Sequence, residues 1–139
     1  MALPKLNDSP KYDLVIPSTK KKVRFRPYLV KEEKVLMMAS ESGDQRQALQ
    51  AIIDTLKSCI ADDVNMNDLT TFDVEFAFTQ IRSKSVGEVS RIGMKCNNCD
   101  HQMEVEIPLD EIKIDAPEVN DTIQLTDNIK LKMKWPKYF

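Results

Sequence analysis

The sequence predicts an α+β fold: an N-terminal β-hairpin, a three-helix segment, and then a β-rich half with a zinc-ribbon-like knuckle hairpin. The order in which apolar periodicities follow one another along the chain predicts this fold class. Apolar residues alternate with polar ones over residues 12–28, recur at helical spacing over residues 29–86, and alternate again from residue 88 onward. Strands alternate their side chains between two faces, whereas helices repeat about every 3.6 residues, so the three stretches separate cleanly.

The first hairpin has one apolar and one charged face. Tyr12, Leu14 and Ile16 form the apolar positions of its first strand, and Val23 and Phe25 continue them after a Pro-Ser-Thr-Lys break. Residues 1–10 contain two prolines and are expected to form an extended lead-in.

The first two helices follow from local signals. Residues 29–40 predict a helix whose charged residues, Lys31 to Lys34, are expected to be exposed. Asp44 is expected to cap a second helix, which presents an apolar stripe over residues 48–60. Cys59 lies beside that stripe, and we interpret it as a small core residue rather than a reactive thiol.

The third helix begins at Thr70 or Thr71 and carries the candidate partner-binding residues. Its aromatic residues exceed one narrow stripe, so this helix is expected to be covered on two sides and to offer a partner face. Its last turn is positively charged, and this charge is expected either to stabilise the C-terminal end of the helix or to bind a partner. The candidates are Phe72, Phe76, Phe78, Arg82 and Lys84. Gly87 is expected in a left-handed conformation just after the helix.

Length and composition limit the classes of function. The 139 residues predict a single domain over 1–139, with the hairpin and helices in 11–87 and a knuckle subdomain in 88–135. A net charge of −2 argues against a general nucleic-acid binder. The N-terminus lacks the apolar region of a secretory signal, and no apolar run predicts a membrane span. Three cysteines without a disulfide framework suit a reducing compartment.

Catalysis is not predicted. The sequence has three glycines and one histidine, without a phosphate-binding loop or a nucleophile–base motif. Its paired acidic residues fall mostly on faces expected to be exposed, as solvated surface charges do. We therefore assign no catalytic residues and expect a protein that is not an enzyme.

Cys96 and Cys99 form the one motif in the sequence that is typical of a chemical site. Two thiolates separated by two residues at a strand turn can both face one zinc ion. A tetrahedral site needs two further ligands, which another chain or a missing segment would supply; His101 is the weaker candidate because its geometry is cramped. A metal-free knuckle held by the hairpin alone is the other interpretation. A redox pair is disfavoured, because such pairs sit at helix N-termini and both flanks here predict strands.

Several segments together resemble the T4-like phage baseplate hub assembly family. They are Phe-Arg-Pro-Tyr-Leu-Val-Lys-Glu-Glu-Lys at 25–34, Thr-Phe-Asp-Val-Glu-Phe at 71–76, Ile-Arg-Ser-Lys-Ser-Val-Gly-Glu at 81–88, the knuckle at 96–99 and Lys-Met-Lys-Trp-Pro at 132–136. The resemblance covers most of residues 12–136, with its elements in the same order. It also implies that members are longer, which leaves open a C-terminal segment beyond this chain.

The resemblance implies a protein-binding component needed to assemble the baseplate hub of a contractile phage tail. It further implies other hub proteins as partners and a location in the host cytoplasm during assembly or in the tail baseplate of the virion, and it leaves oligomerisation open. No membrane or nucleic-acid partner is expected. The alternative is a zinc-ribbon adaptor for nucleic acid or another complex, although Glu104, Glu106, Asp110 and Glu111 make this ribbon acidic.

Overall fold

The computed structural model describes residues 9–114 and 120–137. Most of the lead-in predicted for residues 1–10 lies outside them. Within this part of the chain the fold is α+β, as predicted. Its elements are β1 (Tyr12–Val15), β2 (Lys22–Phe25), α1 (Val30–Glu41), α2 (Gln45–Cys59), α3 (Thr71–Ser85), β3 (Val89–Lys95), β4 (Gln102–Pro108), β5 (Thr122–Thr126) and β6 (Ile129–Lys132), with a single 3₁₀ turn at Met66–Asp68.

The strands form three separate antiparallel pairs: β1 with β2, β3 with β4, and β5 with β6. In the first pair Leu14 lies opposite Val23, and both are buried. The inner edge of this hairpin joins the end of α2, since the Arg26 N–H donates to the Cys59 carbonyl at 3.0 Å and the Ala61 N–H to the Arg24 carbonyl at 2.8 Å. The first hairpin is thereby fixed to the helices.

The helix boundaries follow their capping residues. The Asp44 carboxylate accepts from the Arg46 N–H at 2.9 Å, as the sequence predicts for the cap of α2. At α3, Thr70 is the N-cap and its hydroxyl accepts from the Asp73 N–H. Gly87 follows the helix with φ of +151°, a positive value that favours glycine but lies outside the left-handed helical region that the sequence predicts.

One hydrophobic core joins the first hairpin to α2 and α3. Its most deeply buried members are Val23, Leu56 and Ile81, each 0% exposed. Cys59 is 1% exposed, and burial raises the pKa of its thiol to about 11. The prediction that Cys59 is a core residue is therefore confirmed.

A buried carboxylate ties the first hairpin to α3. Asp73 is 1% exposed, and it accepts from the Ser18 N–H at 2.9 Å and the Ser18 hydroxyl at 2.5 Å. It also accepts from the Thr70 N–H at 3.0 Å and the Thr70 hydroxyl at 2.7 Å. These four donors offset the cost of burying the carboxylate, because hydrogen bonds to a charged acceptor are strong.

The expectation that Glu32 is exposed is wrong. Glu32 is 8% exposed, and its carboxylate accepts from the Arg26 guanidinium at 2.7 and 3.1 Å and from the Leu29 N–H at 2.6 Å. The Arg26 hydrogen bond holds the pKa of Glu32 below its usual value. The carboxylate is buried because Arg26, which directly follows β2, lies against the first turn of α1 and pairs with it.

Candidate protein-binding surfaces and the cysteine knuckle

The knuckle lies at the tip of the β3–β4 hairpin, as the sequence predicts. The pairing runs in register from Val89 opposite Pro108 to Lys95 opposite Gln102. Beyond the last pair the Cys96 N–H donates to the His101 carbonyl at 2.8 Å and the Asp100 N–H to the Cys96 carbonyl at 3.0 Å. Asp100 has φ of +57°, which turns the chain back into β4.

One face of this hairpin is apolar and largely uncovered. Directly opposed residues in an antiparallel pair share a face, so Ile92 with Val105 and Met94 with Met103 form one apolar surface. Ile92 is 44% exposed, Met94 52% and Met103 45%. Half-exposed side chains of this size on one face mark a surface that another protein can cover.

The opposite face of the same hairpin is charged. Arg91 lies opposite Glu106, and its guanidinium contacts that carboxylate at 2.9 Å and Glu104 at 3.9 Å. At the tip Lys95 pairs with Asp100 at 2.9 Å. The hairpin is therefore amphipathic, with its cationic groups already paired with carboxylates.

The β5–β6 hairpin repeats this arrangement. Ile123 lies opposite Leu131, while Gln124 lies opposite Lys130 on the other face. Ile123 is 48% exposed and Leu131 46%, and their apolar neighbours Leu125 and Ile129 are 60% and 56% exposed. The register shifts between Gln124 and Thr126, at Leu125. We call the apolar sides of the two hairpins, residues 92, 94, 103 and 105 and residues 123, 129 and 131, the open hairpin faces.

The segments flanking these hairpins contact α3. The ring of Trp135 packs edge-on against Phe72, with centroids 5.4 Å apart, and the Thr71 N–H donates to the Pro136 carbonyl at 3.3 Å. After β4, Leu109 is 8% exposed and its carbonyl accepts from the Gln80 amide at 3.3 Å. The hairpins thus project from a fixed base on α3 while their open faces stay exposed.

The two knuckle thiols are not joined in a disulfide. Backbone N–H groups of Asn98 and Cys99 donate to the Cys96 sulfur, as does the Cys99 side chain, and together they hold the pKa of the Cys96 thiol below its usual value. Among residues 9–114 and 120–137, no third His, Cys, Asp or Glu joins the pair in a group that could hold a metal ion. His101, although two positions after Cys99, is thus not brought to the pair.

The five residues of α3 predicted to bind partners lie in different surroundings in the structure. Phe76 and Phe78 are half-buried and pack against the core, whereas Phe72 is half-buried against Trp135. Lys84 forms an ion pair with Glu88. Its ammonium also lies 5.7 Å from the centroid of the Tyr12 ring.

Phe78 and Arg82 border a groove between the three helices. The groove measures about 500 Å³ and is lined also by Tyr28, Leu36 and Ile52. Phe78 and Arg82 thus line a cavity that another molecule could enter. Their role in binding stays a prediction.

Sequence reasoning missed the outward apolar surface of α1. Val35 and Met38 fall in the apolar pattern of the predicted helix, yet they are 54% and 70% exposed, and Met37 is 58% exposed. The helix turns few of its side chains into the core, and Glu32 takes up one buried position. The dense mixture of charged and apolar residues in α1 could have signalled this, since it defines no single apolar face.

The helices in the part of the chain described here are too short or too polar to cross a bilayer. No curated protein and no solved structure matches the chain. The sequence model of the family described as "T4 bacteriophage base plate protein" matches residues 9–139. Because this match covers nearly the whole sequence, including both open hairpin faces and the knuckle, the chain belongs to the T4 bacteriophage base plate protein family.

Proposed function

We propose that this chain is a non-enzymatic, protein-binding component needed to assemble the hub of the base plate of a contractile phage tail. Membership of a base plate family supports a role in the tail structure. The observation that carries the proposal is the pair of open hairpin faces, on which the apolar side chains other than the partly buried Val105 are about half exposed.

The energetics favour a covered state for these faces. An isolated two-stranded hairpin is marginally stable in water, and it gains stability when its apolar side packs against something else. Fully burying a side chain such as Ile, Leu or Met contributes about 1.5–3 kcal/mol, so covering the remaining half contributes about 1 kcal/mol for each residue. Several such residues on each hairpin provide enough surface to bind other hub proteins.

The charged faces argue against nucleic acid as the partner. On β3–β4 the Arg91 guanidinium is paired with Glu106 at 2.9 Å, so it is not free to neutralise a phosphate. On β6 Lys132 lies 3.5 Å from Asp121. We therefore propose protein partners for these faces. The family favours a location in the tail base plate of the virion or, during assembly, in the host cytoplasm.

The test is co-purification from phage-infected cells, with base plate proteins quantified by mass spectrometry. The informative variant replaces the opposed pair Met94 and Met103 by lysine and glutamate, which removes apolar surface and keeps a cross-strand attraction. The matched control exchanges the charges of Arg91 and Glu106 on the opposite face.

We expect the apolar-face variant to lose at least tenfold of the co-purifying hub proteins and the control to retain them. Circular dichroism should show that both variants keep the fold of the wild type. Equal recovery of hub proteins by the wild type and the apolar-face variant would contradict the proposal, and so would recovery of no base plate protein by the wild type.

A further inference from the structure

The knuckle presents two sulfur atoms at an exposed tip in an arrangement suited to one metal ion. Cys96 and Cys99 are separated by two residues on the turn that closes the β3–β4 hairpin. A tetrahedral zinc ion with bonds of about 2.3 Å to sulfur sets its thiolates about 3.8 Å apart. Two thiols at this spacing on one turn can therefore become neighbouring ligands of one ion.

The backbone of the tip is held in one shape. The Cys96 N–H donates to the His101 carbonyl at 2.8 Å and the Asp100 N–H to the Cys96 carbonyl at 3.0 Å, which closes the turn that carries both cysteines. The hairpin therefore defines the positions of the two cysteines before any metal binds.

The ligand type selects the metal. Two thiolates in a knuckle favour zinc over magnesium or calcium, which prefer oxygen ligands. A structural zinc site is closed by four protein ligands, and the pair supplies two of them.

We propose that the knuckle binds one zinc ion shared by two copies of this chain, with Cys96 and Cys99 of each copy as the four ligands. A second knuckle supplies two thiolates in the same geometry, so a two-fold axis through the ion completes a tetrahedron. Cys99 is exposed and stands at the end of the hairpin, where an identical tip can approach it. The nearby charges do not oppose this, because Lys95 and Asp100 neutralise each other on each tip.

This proposal does not depend on the role in hub assembly, since the shared ion could form in the purified chain alone.

The test uses the full chain purified without chelator in zinc-containing medium. Metal content is measured by plasma mass spectrometry and molecular mass by native mass spectrometry. We expect one zinc ion for every two chains and a dimer that separates into monomers when a chelator removes the metal. Returning zinc should restore the dimer.

Titration with cobalt(II) gives a second readout that reports the ligands. The thiolate-to-cobalt charge-transfer band should rise linearly and stop at one cobalt ion for every two chains. Cys96→Ser and Cys99→Ser should each abolish the dimer and the band, whereas His101→Ala should keep both. Far-UV circular dichroism establishes that the variants are folded.

Three results would overturn the proposal. One metal ion bound to a monomer would mean that the remaining ligands come from the same chain. A dimer that persists in chelator would mean that the copies associate without the ion. A wild-type chain that neither retains zinc nor develops the cobalt band would leave the knuckle as a metal-free turn.

Discussion

Glu32→Gln removes the negative charge from the buried ion pair at the start of α1. The wild-type carboxylate accepts two hydrogen bonds from Arg26 and one from the Leu29 N–H. Glutamine keeps one accepting oxygen, so part of this network survives. The Arg26 guanidinium, however, loses its counter-charge while its side chain is only 23% exposed.

The magnitude follows from these contacts. Removing one partner of a fully buried pair costs about 3–5 kcal/mol, and the partial exposure of Arg26 lowers that figure. We expect Glu32→Gln to decrease the free energy of unfolding by about 2 kcal/mol, which corresponds to a decrease in Tm of about 4–8 °C for a chain of this size. Glu33→Gln is the control, because it makes the same chemical change one residue further along the same helix.

The difference between wild type and Glu32→Gln should depend on pH. The Arg26 hydrogen bond lowers the pKa of Glu32 in the folded state, so folding favours the charged carboxylate. The stabilisation is fully present above the unfolded pKa of about 4.3, and it is lost as the pH falls through the lower folded pKa. Urea unfolding followed by circular dichroism at several pH values measures this. Equal stabilities of Glu32→Gln and Glu33→Gln at neutral pH would contradict a stabilising role for the ion pair with Arg26.

Three further predictions concern α3 and its ends. Asp73→Asn should decrease the free energy of unfolding by about 2–3 kcal/mol in urea titrations, because an amide N–H₂ would face at least one of the four donors that now point at the carboxylate. An unchanged urea midpoint of unfolding would contradict the assigned hydrogen-bond network. Gly87→Val should lower the Tm, because it decreases the free energy of unfolding by about 1 kcal/mol or more. A φ of +151° is strained for a β-branched residue, although the added Cβ would meet no atom within 4 Å. A Tm equal to that of the wild type would contradict this strain. Arg82 and Lys84 should not support DNA binding, because Lys84 is paired with Glu88 and Arg82 lines the helical groove; tight, salt-sensitive binding of random duplex DNA in a fluorescence anisotropy assay would contradict this.

The sequence predicts the elements well because their signals are local. The cap at Asp44 and the alternation on both sides of Cys96 and Cys99 each depend on a few neighbouring residues, and the structure places these elements as expected. The burial of Glu32 could not be predicted in this way. It depends on Arg26, which belongs to a different element and is brought to the helix only by the pairing of the first hairpin.

The candidate surfaces illustrate the same limit. Strand periodicity predicts which side of β3–β4 is apolar, but it does not indicate whether another element covers that side. Likewise, the aromatic residues of α3 predict that the helix is covered on more than one side. Only the structure shows that Trp135, from a distant segment, covers Phe72 while Phe78 borders a groove.

The open hairpin faces are proposed to bind other base plate proteins. Hydrogen–deuterium exchange of the chain, alone and within base plate assembly intermediates isolated from infected cells, detects such contacts. We expect exchange to slow in the hairpins spanning residues 89–108 and 122–132 and to change little in the buried centre of α2. Unchanged exchange in both hairpins, or slowing confined to the outer surface of α1, would contradict it.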